Sequence, residues 1–117
     1  MPLKIKRIYE EPQAGDGRRI LVDRLWPRGI SKDRAHIDDW LKEFAPSDSL
    51  RKSYHDGALA WGEFRRQYLS ELKSQRDELR RFATSSKNRQ VTLLFSARDE
   101  KRNNAVVLRQ YLERLRI

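Results

Sequence analysis

The sequence predicts an α/β fold: a small three-layer domain with a central, mostly parallel short sheet flanked by helices. Three observations carry that expectation. Two short apolar runs, Ile20-Leu21-Val22 and Val91-Thr92-Leu93-Leu94-Phe95, are each bounded by polar residues, the pattern of strands covered on both faces. The segment between them has helical periodicity and is long enough for a crossover, so the two strands should run parallel, central and close together. A last amphipathic stretch follows the second run, and strand, helices, strand, helix is the order of a βαβ unit. The 117 residues contain no internal repeat, linker or low-complexity tract, so residues 1–117 are expected to form a single α/β domain.

Taken in order, Leu3, Ile5 and Ile8 alternate weakly with Lys4, Lys6 and Arg7, which suggests a first strand at about 3–9, partly exposed or at an edge. Residues 10–19 are turn-rich around Pro12, Gly15 and Asp16-Gly17. Asp-Gly is a common hairpin dipeptide, which would make the first two strands antiparallel neighbours; the loop is longer than a tight hairpin needs, so the pairing of the first strand stays open. The second strand runs to about Arg24. Ser31 can cap a helix with Asp33 in its first turn, and Ile37, Trp40, Leu41 and Phe44 then fall at i, i+3, i+4 and i+7, one apolar stripe. Pro46 stops that helix, Ser47 caps a shorter one with Leu50 and Tyr54 inward, and Gly57 closes it. Trp61, Phe64, Tyr68, Leu72, Leu79 and Phe82 recur in steps of three, four and seven, predicting one long helix from about 58 to 83. The third strand, 91–96, runs into SARDEKRNN, and Ala105 to Leu115 makes the last helix, capped by Asp99, Asn103 or Asn104. Trp40, Phe44, Trp61, Phe64, Tyr68, Leu72, Leu108 and Leu112 should form the core.

Charge is the dominant compositional feature: 26 Lys plus Arg stand against 17 Asp plus Glu, a formal net charge of +9. Such an excess attracts polyanions without selecting one. The absence of cysteine excludes disulfides, thiolate metal sites and cysteine nucleophiles, and it suits a reducing compartment. No apolar run approaches the length of about 18 residues that a membrane span needs, and the reading is a soluble cytoplasmic protein without a membrane partner. Three Trp, four Tyr and four Phe supply core material despite 37% charged residues.

The stretch Ile20 to Gly29, ILVDRLWPRG, sets a buried strand directly against a loop rich in Arg, Trp and Pro, at the strand end where open parallel sheets place ligands. Together with WLKEFAPS, LRKSYH and LLFSARDEKRNNAVVLRQYL, this stretch resembles the YeaO-like branch of the bacterial family catalogued as domain of unknown function 488. The resemblance covers nearly the whole chain. It implies a small three-layer α/β domain and characteristic positions at Arg24, Trp26, Pro27, Arg28 and Gly29, then Trp40, Pro46, Arg51 and His55, and finally Asp99, Asn103, Asn104 and Ala105. More distant branches carry cysteines in or near the loop after the last strand, where this chain has Phe95, Ser96 and Asn103, so thiol chemistry is not carried over.

Physical chemistry weighs the same residues. Arg24 and Arg28 flank Trp26 and Pro27, and guanidinium groups on a rigid loop suit bidentate capture of carboxylate or phosphate; the alternative is that they salt-bridge to Asp23 or Asp99 while Trp26 fills core volume. SARDEKRNN leads into a helix N-terminus whose amides can hold an anion, unless Asp99 satisfies them itself. Ser96 is better read as a structural or oxyanion-facing hydroxyl than as a nucleophile, because no glycine-flanked elbow surrounds it. Arg51 and His55 share a helix face at i and i+4, and a basic setting favours the neutral imidazole, which suits a base or a hydrogen-bond donor; a packed or merely exposed ring is the alternative. Two separated histidines without an acidic cluster point to no structural zinc, and no nucleotide, calcium or metalloprotease motif occurs, so neither cofactor nor metal is expected. The ligand-binding candidates are therefore Arg24, Trp26, Arg28, Arg51, His55, Ser96, Asp99, Asn103 and Asn104. They point to an anion-binding cleft for a small phosphorylated or carboxylated molecule, compatible with hydrolase or transferase chemistry, with no pair of carboxylates selected as catalytic. The alternatives are a nucleic-acid-binding accessory protein and a structural or protein-interaction domain without catalysis. Weak, non-specific nucleic-acid binding is expected from the net charge alone.

Overall fold

The computed structural model describes residues 3–115. Four strands, β1 (Leu3–Arg7), β2 (Arg18–Leu21), β3 (Asp39–Trp40) and β4 (Val91–Phe95), form one parallel sheet in the order β1-β4-β2-β3. The helices are α1 (Lys32–Ala35), α2 (Asp48–His55), α3 (Trp61–Ser74), α4 (Arg76–Ser85) and α5 (Asn104–Leu115), with single 3-10 turns at Ala14–Asp16 and Lys42–Phe44. The two apolar runs lie side by side and parallel as expected, Ile20 opposite Leu93 and Leu21 opposite Leu94. All five residues of β4 are buried.

β1 pairs with the other edge of β4, so the hairpin suggested by Asp16-Gly17 does not form. These residues instead lead the chain into a parallel strand. Gly17 has φ 64°, and a Cβ there would overlap the Gln90 carbonyl, while Arg18 N–H donates to that same oxygen at 3.0 Å. The strand begins earlier than the apolar run does because Arg19 is buried as an ion-paired side chain. Its guanidinium donates to Asp16 at 2.6 Å and to the Ala35 carbonyl at 2.8 Å, with Nε reaching the His36 carbonyl at 3.0 Å. Lys6 reaches both oxygens of Asp16 at 3.1 Å, closing a buried three-residue network over that sheet face.

The helix expected from Ser31 through Phe44 is one turn long. Ser31 caps it as predicted, but His36 turns left-handed at φ 49°, and Asp39–Trp40 join the sheet beside β2. The apolar stripe divides between the two faces: Ile37 and Trp40 pack with Ile8, Leu21, Ala35 and Leu94, whereas Leu41 and Phe44 enter the larger core under the long helices. Asp38 fastens the new edge, its carboxylate accepting from Arg19 N–H at 2.8 Å and its own N–H donating to the Arg19 carbonyl at 2.7 Å. The long helix expected from 58 to 83 is likewise two helices, broken at Gln75. The seven-residue step from Leu72 to Leu79 leaves no apolar side chain to carry the stripe through, and Gln75 Nε2 donates to the Glu43 carbonyl at 2.7 Å instead.

Helices α2 to α5 contribute the larger core on one face; α1 and the segment between β2 and β3 cover the other as a thin layer. Phe44, Phe64, Tyr68, Leu72, Leu108 and Leu112 are buried as expected, while Trp40 and Trp61 are only half-buried at the margins. Among the described residues no helix is long and apolar enough to cross a membrane.

Candidate functional site

Asp23 organises the C-terminal end of the sheet. One carboxylate oxygen accepts from the Ser96 N–H at 3.0 Å and from the Ser96 hydroxyl at 2.6 Å. The other accepts from Asn104 Nδ2 at 3.0 Å, which also donates to the Val22 carbonyl at 2.9 Å. The Asp23 carbonyl takes the Trp40 indole N–H at 2.7 Å. One residue thereby ties the ends of β2, β3 and β4 to the first turn of α5. Burial pushes the Asp23 carboxyl above its ordinary pKa, against the opposing pull of Ser96, Asn104 and the Arg51 charge.

The loop after β4 satisfies itself. Asp99 accepts from the N–H groups of Lys101 and Arg102 at 2.9 and 3.0 Å, which hold its carboxyl below the usual range, and its carbonyl accepts from Asn103 Nδ2. Asn103 is buried and caps α5, its side-chain oxygen taking the Val106 N–H at 3.0 Å. Arg7 at the end of β1 holds this loop from the other side, donating to the Ala97 and Ser96 carbonyls at 2.9 and 3.1 Å while its guanidinium lies 4.9 Å over the Tyr9 ring.

Arg24 turns to the start of α2, with Nε donating to the Pro46 carbonyl at 2.7 Å. There Ser47 caps the helix and Glu71 of α3 accepts from both its N–H and its hydroxyl. Arg51, one turn into α2, donates to the exposed Asp48 at 2.8 Å, while its Nε is buried without a hydrogen-bond partner. His55 is exposed at the last residue of that helix. Trp26 lies with the smaller core on the opposite sheet face, edge-on to Trp40 at 5.5 Å and bonded to the Ile30 carbonyl. Arg28 is exposed, and its carbonyl accepts from Tyr9 OH at 2.7 Å. A cavity of about 370 Å³ beyond β1 is lined by Tyr9, Glu10, Glu11, Gly29, Asp33 and Arg34 among others, more carboxylates than cations.

Of the residues singled out by sequence, the structure gathers Ser96 and Asn104 about Asp23 with the Arg51 charge beside them, while Asp99 and Asn103 hold the loop and the cap of α5. Arg24 serves the neighbouring turn, and Trp26, Arg28 and His55 make no contact with the group. Sequence reasoning took Asp23 only as a salt-bridge partner for Arg24 and Arg28, and Arg7 only as a polar position of the first strand; the signal for Arg7 is a charged residue ending a strand whose neighbours alternate. The Ser96 hydroxyl is committed as a donor to Asp23. Among the described residues no cluster of three or more His, Asp or Glu side chains could hold a metal ion.

A family model described as the inactive DUF488-N3 subclade matches residues 2–116. The uncharacterized protein YeaO of Escherichia coli (strain K12) is 44% identical over 115 residues, covering 98% of this chain and all of that protein. The uncharacterized proteins Rv3073c of Mycobacterium tuberculosis (strain ATCC 25618 / H37Rv) and Mb3100c of Mycobacterium bovis are each 38% identical over 112 residues, 94% of this chain and 92% of theirs. No solved structure matches the chain.

Proposed function

The chain belongs to the inactive DUF488-N3 subclade, the YeaO-like branch of the 488 family, and we propose that it acts by holding a small phosphorylated or carboxylated molecule without turning it over. The observation that carries this reading is Arg51. Among the described residues its Nε is buried and unpartnered and its one ion pair is to an exposed aspartate, a type of contact worth only about 0–1 kcal/mol. A buried donor left without an acceptor costs roughly 1–3 kcal/mol; the Arg51 side chain is 31% exposed, so rotation of its guanidinium away from Asp48 would present Nε to an oxyanion and recover that cost through a charge-assisted hydrogen bond. Asp23, Ser96 and Asn104 supply the rigid wall at the strand ends, where parallel sheets bind ligands.

The hydrolase or transferase extension has less support, because the hydroxyl, carboxylate and amides that chemistry would use are bonded to one another, and the family description is of an inactive subclade. A cytoplasmic location belongs to the same reading and rests on the cysteine-free sequence.

Calorimetric titration of phosphate-bearing and carboxylate-bearing metabolites tests the proposal. The wild type should bind at least one class, and a folded Arg51→Met protein should bind it more than tenfold more weakly. Unchanged affinity in that variant, or no binding of either class by the wild type, would leave a structural or partner-binding domain as the better account.

A further inference from the structure

The basic excess is concentrated at the other end of the molecule. Lys73, Arg76, Arg80, Arg81, Lys87 and Arg89 are all exposed, and residues 73–89 carry a net +4 of the chain's +9, since only Asp77 and Glu78 oppose the six cations. In sequence, the acids of the preceding helix blur this pattern. In the structure they are drawn off: Glu63 accepts from Arg66 and Gln67, and Glu71 is spent on Ser47. Among the described residues the ion-paired cations are Lys6, Arg18, Arg19, Arg51, Lys52, Arg66 and Arg109, none of them in this group of six.

The placement is ordered by the helix. Leu79 and Ala83 are buried, which turns Arg76, Arg80 and Thr84, one turn apart, and Arg81 beside them toward solvent. A shallow groove is lined by Asp77, Arg80, Arg81, Thr84 and Ser85, so two guanidinium groups and the Thr84 hydroxyl share one concave strip with a single carboxylate, the Ser85 hydroxyl being donated to the Phe82 carbonyl. The turn after α4 continues the charge to the N-terminal edge of the sheet, where Arg89 and Arg18 line a second groove.

We infer that α4 and the turn through Arg89 form a docking surface for the phosphate backbone of duplex nucleic acid. Ten helical residues span about 15 Å, a length over which a duplex presents several phosphates at one charge per roughly 1.7 Å of axis. Guanidinium groups match phosphate oxygens in geometry as well as charge. Single strands are the poorer fit, because they are held by base stacking on exposed aromatic rings. Among the described residues the exposed large apolar side chains are Tyr9 and Leu25, which follow β1 and β2 at the opposite end of the parallel sheet. Binding is therefore backbone-directed and carries no sequence preference.

Fluorescence anisotropy with a 20-base-pair duplex and the matching single strand, over a salt series, tests this. The duplex should bind the wild type at about 0.05 M salt and weaken steeply as salt rises. Arg80→Glu/Arg81→Glu should lower affinity more than tenfold and flatten the log–log salt slope by about 1.8, the loss of two phosphate contacts. Arg76→Gln/Arg80→Gln should act in the same direction. Lys32→Glu/Arg34→Glu, an equal charge change on α1 across the sheet, should cost less than threefold. Equal losses for both double Glu variants would reduce the effect to net charge and overturn the surface, as would tighter binding of the single strand or no duplex binding by the wild type at low salt.

Discussion

Ser96 donates its backbone N–H and its hydroxyl to the same carboxylate oxygen of Asp23, at 3.0 and 2.6 Å. The pair joins the ends of two neighbouring strands, and Asn104 brings in the last helix. Burial raises the folded-state pKa of Asp23 above 3.8, so between 3.8 and that raised value the native state binds the proton more tightly than the unfolded chain does. The contribution of Asp23 to stability therefore falls as pH rises through that window. Urea denaturation between about pH 3 and 7 should show this fall diminished in Asp23→Asn, which should also cost about 1–3 kcal/mol by setting an amide donor against Ser96 and Asn104. An unchanged pH profile would contradict the assignment.

The network of Lys6, Asp16 and Arg19 carries the opposite sign. Burial alone would raise the Asp16 carboxyl, but the Gln13 amide, Lys6 and Arg19 together hold it below 3.8. Its stabilisation is present above 3.8 and lost as pH falls through the lowered folded value. Arg19→Met should cost on the order of 1.5–3 kcal/mol near pH 7, because it leaves Asp16 to Lys6 and the Gln13 amide and frees the Ala35 and His36 carbonyls. Chemical denaturation that found less than about 1 kcal/mol would show the network to be incidental.

Arg24 and Arg28 should separate cleanly in stability. Arg24→Met removes the donors that hold the Ala45 and Pro46 carbonyls and should cost about 1.5–3 kcal/mol. Arg28→Met changes an exposed side chain and should stay within about 0.5 kcal/mol. Equal midpoint shifts in urea would mean that the two arginines share a role the geometry does not give them.

In the core, Leu72→Ala and Phe64→Ala should each cost about 2–5 kcal/mol, since both side chains are at most 3% exposed. Losses below about 0.5 kcal/mol for both, by the same denaturation measurement, would place the helix stripe on the wrong face.

Much of this architecture was legible in the residues themselves. The parallel pair β2 and β4 follows from two apolar runs that need cover on both faces, and the caps at Ser31 and Ser47 from side chains that accept helix amides. What failed to show was governed by contacts distant in sequence. Ile37, Trp40, Leu41 and Phe44 keep helical spacing yet divide between two sheet faces, because Asp38 and Trp40 find partners on Arg19 and Asp23 that no local pattern records. Gln75 breaks a helix whose periodicity skips a position there, and Arg19 is buried only because Asp16 and two carbonyls meet it. At the site, the motif positions were visible as residues of costly type. The same-type reading for Arg24 and Arg28 parted in the fold, where one guanidinium holds a turn and the other stands in solvent.

The central claim, an anion held by Arg51, is tested most directly by following arginine Nε–H resonances by nuclear magnetic resonance while inorganic phosphate is added. The Arg51 signal should move saturably and gain protection from exchange, while the Arg24 signal, already bonded to the Pro46 carbonyl, holds its position. An Arg51 resonance that does not respond, or one that moves only in step with every exposed arginine, would contradict the claim.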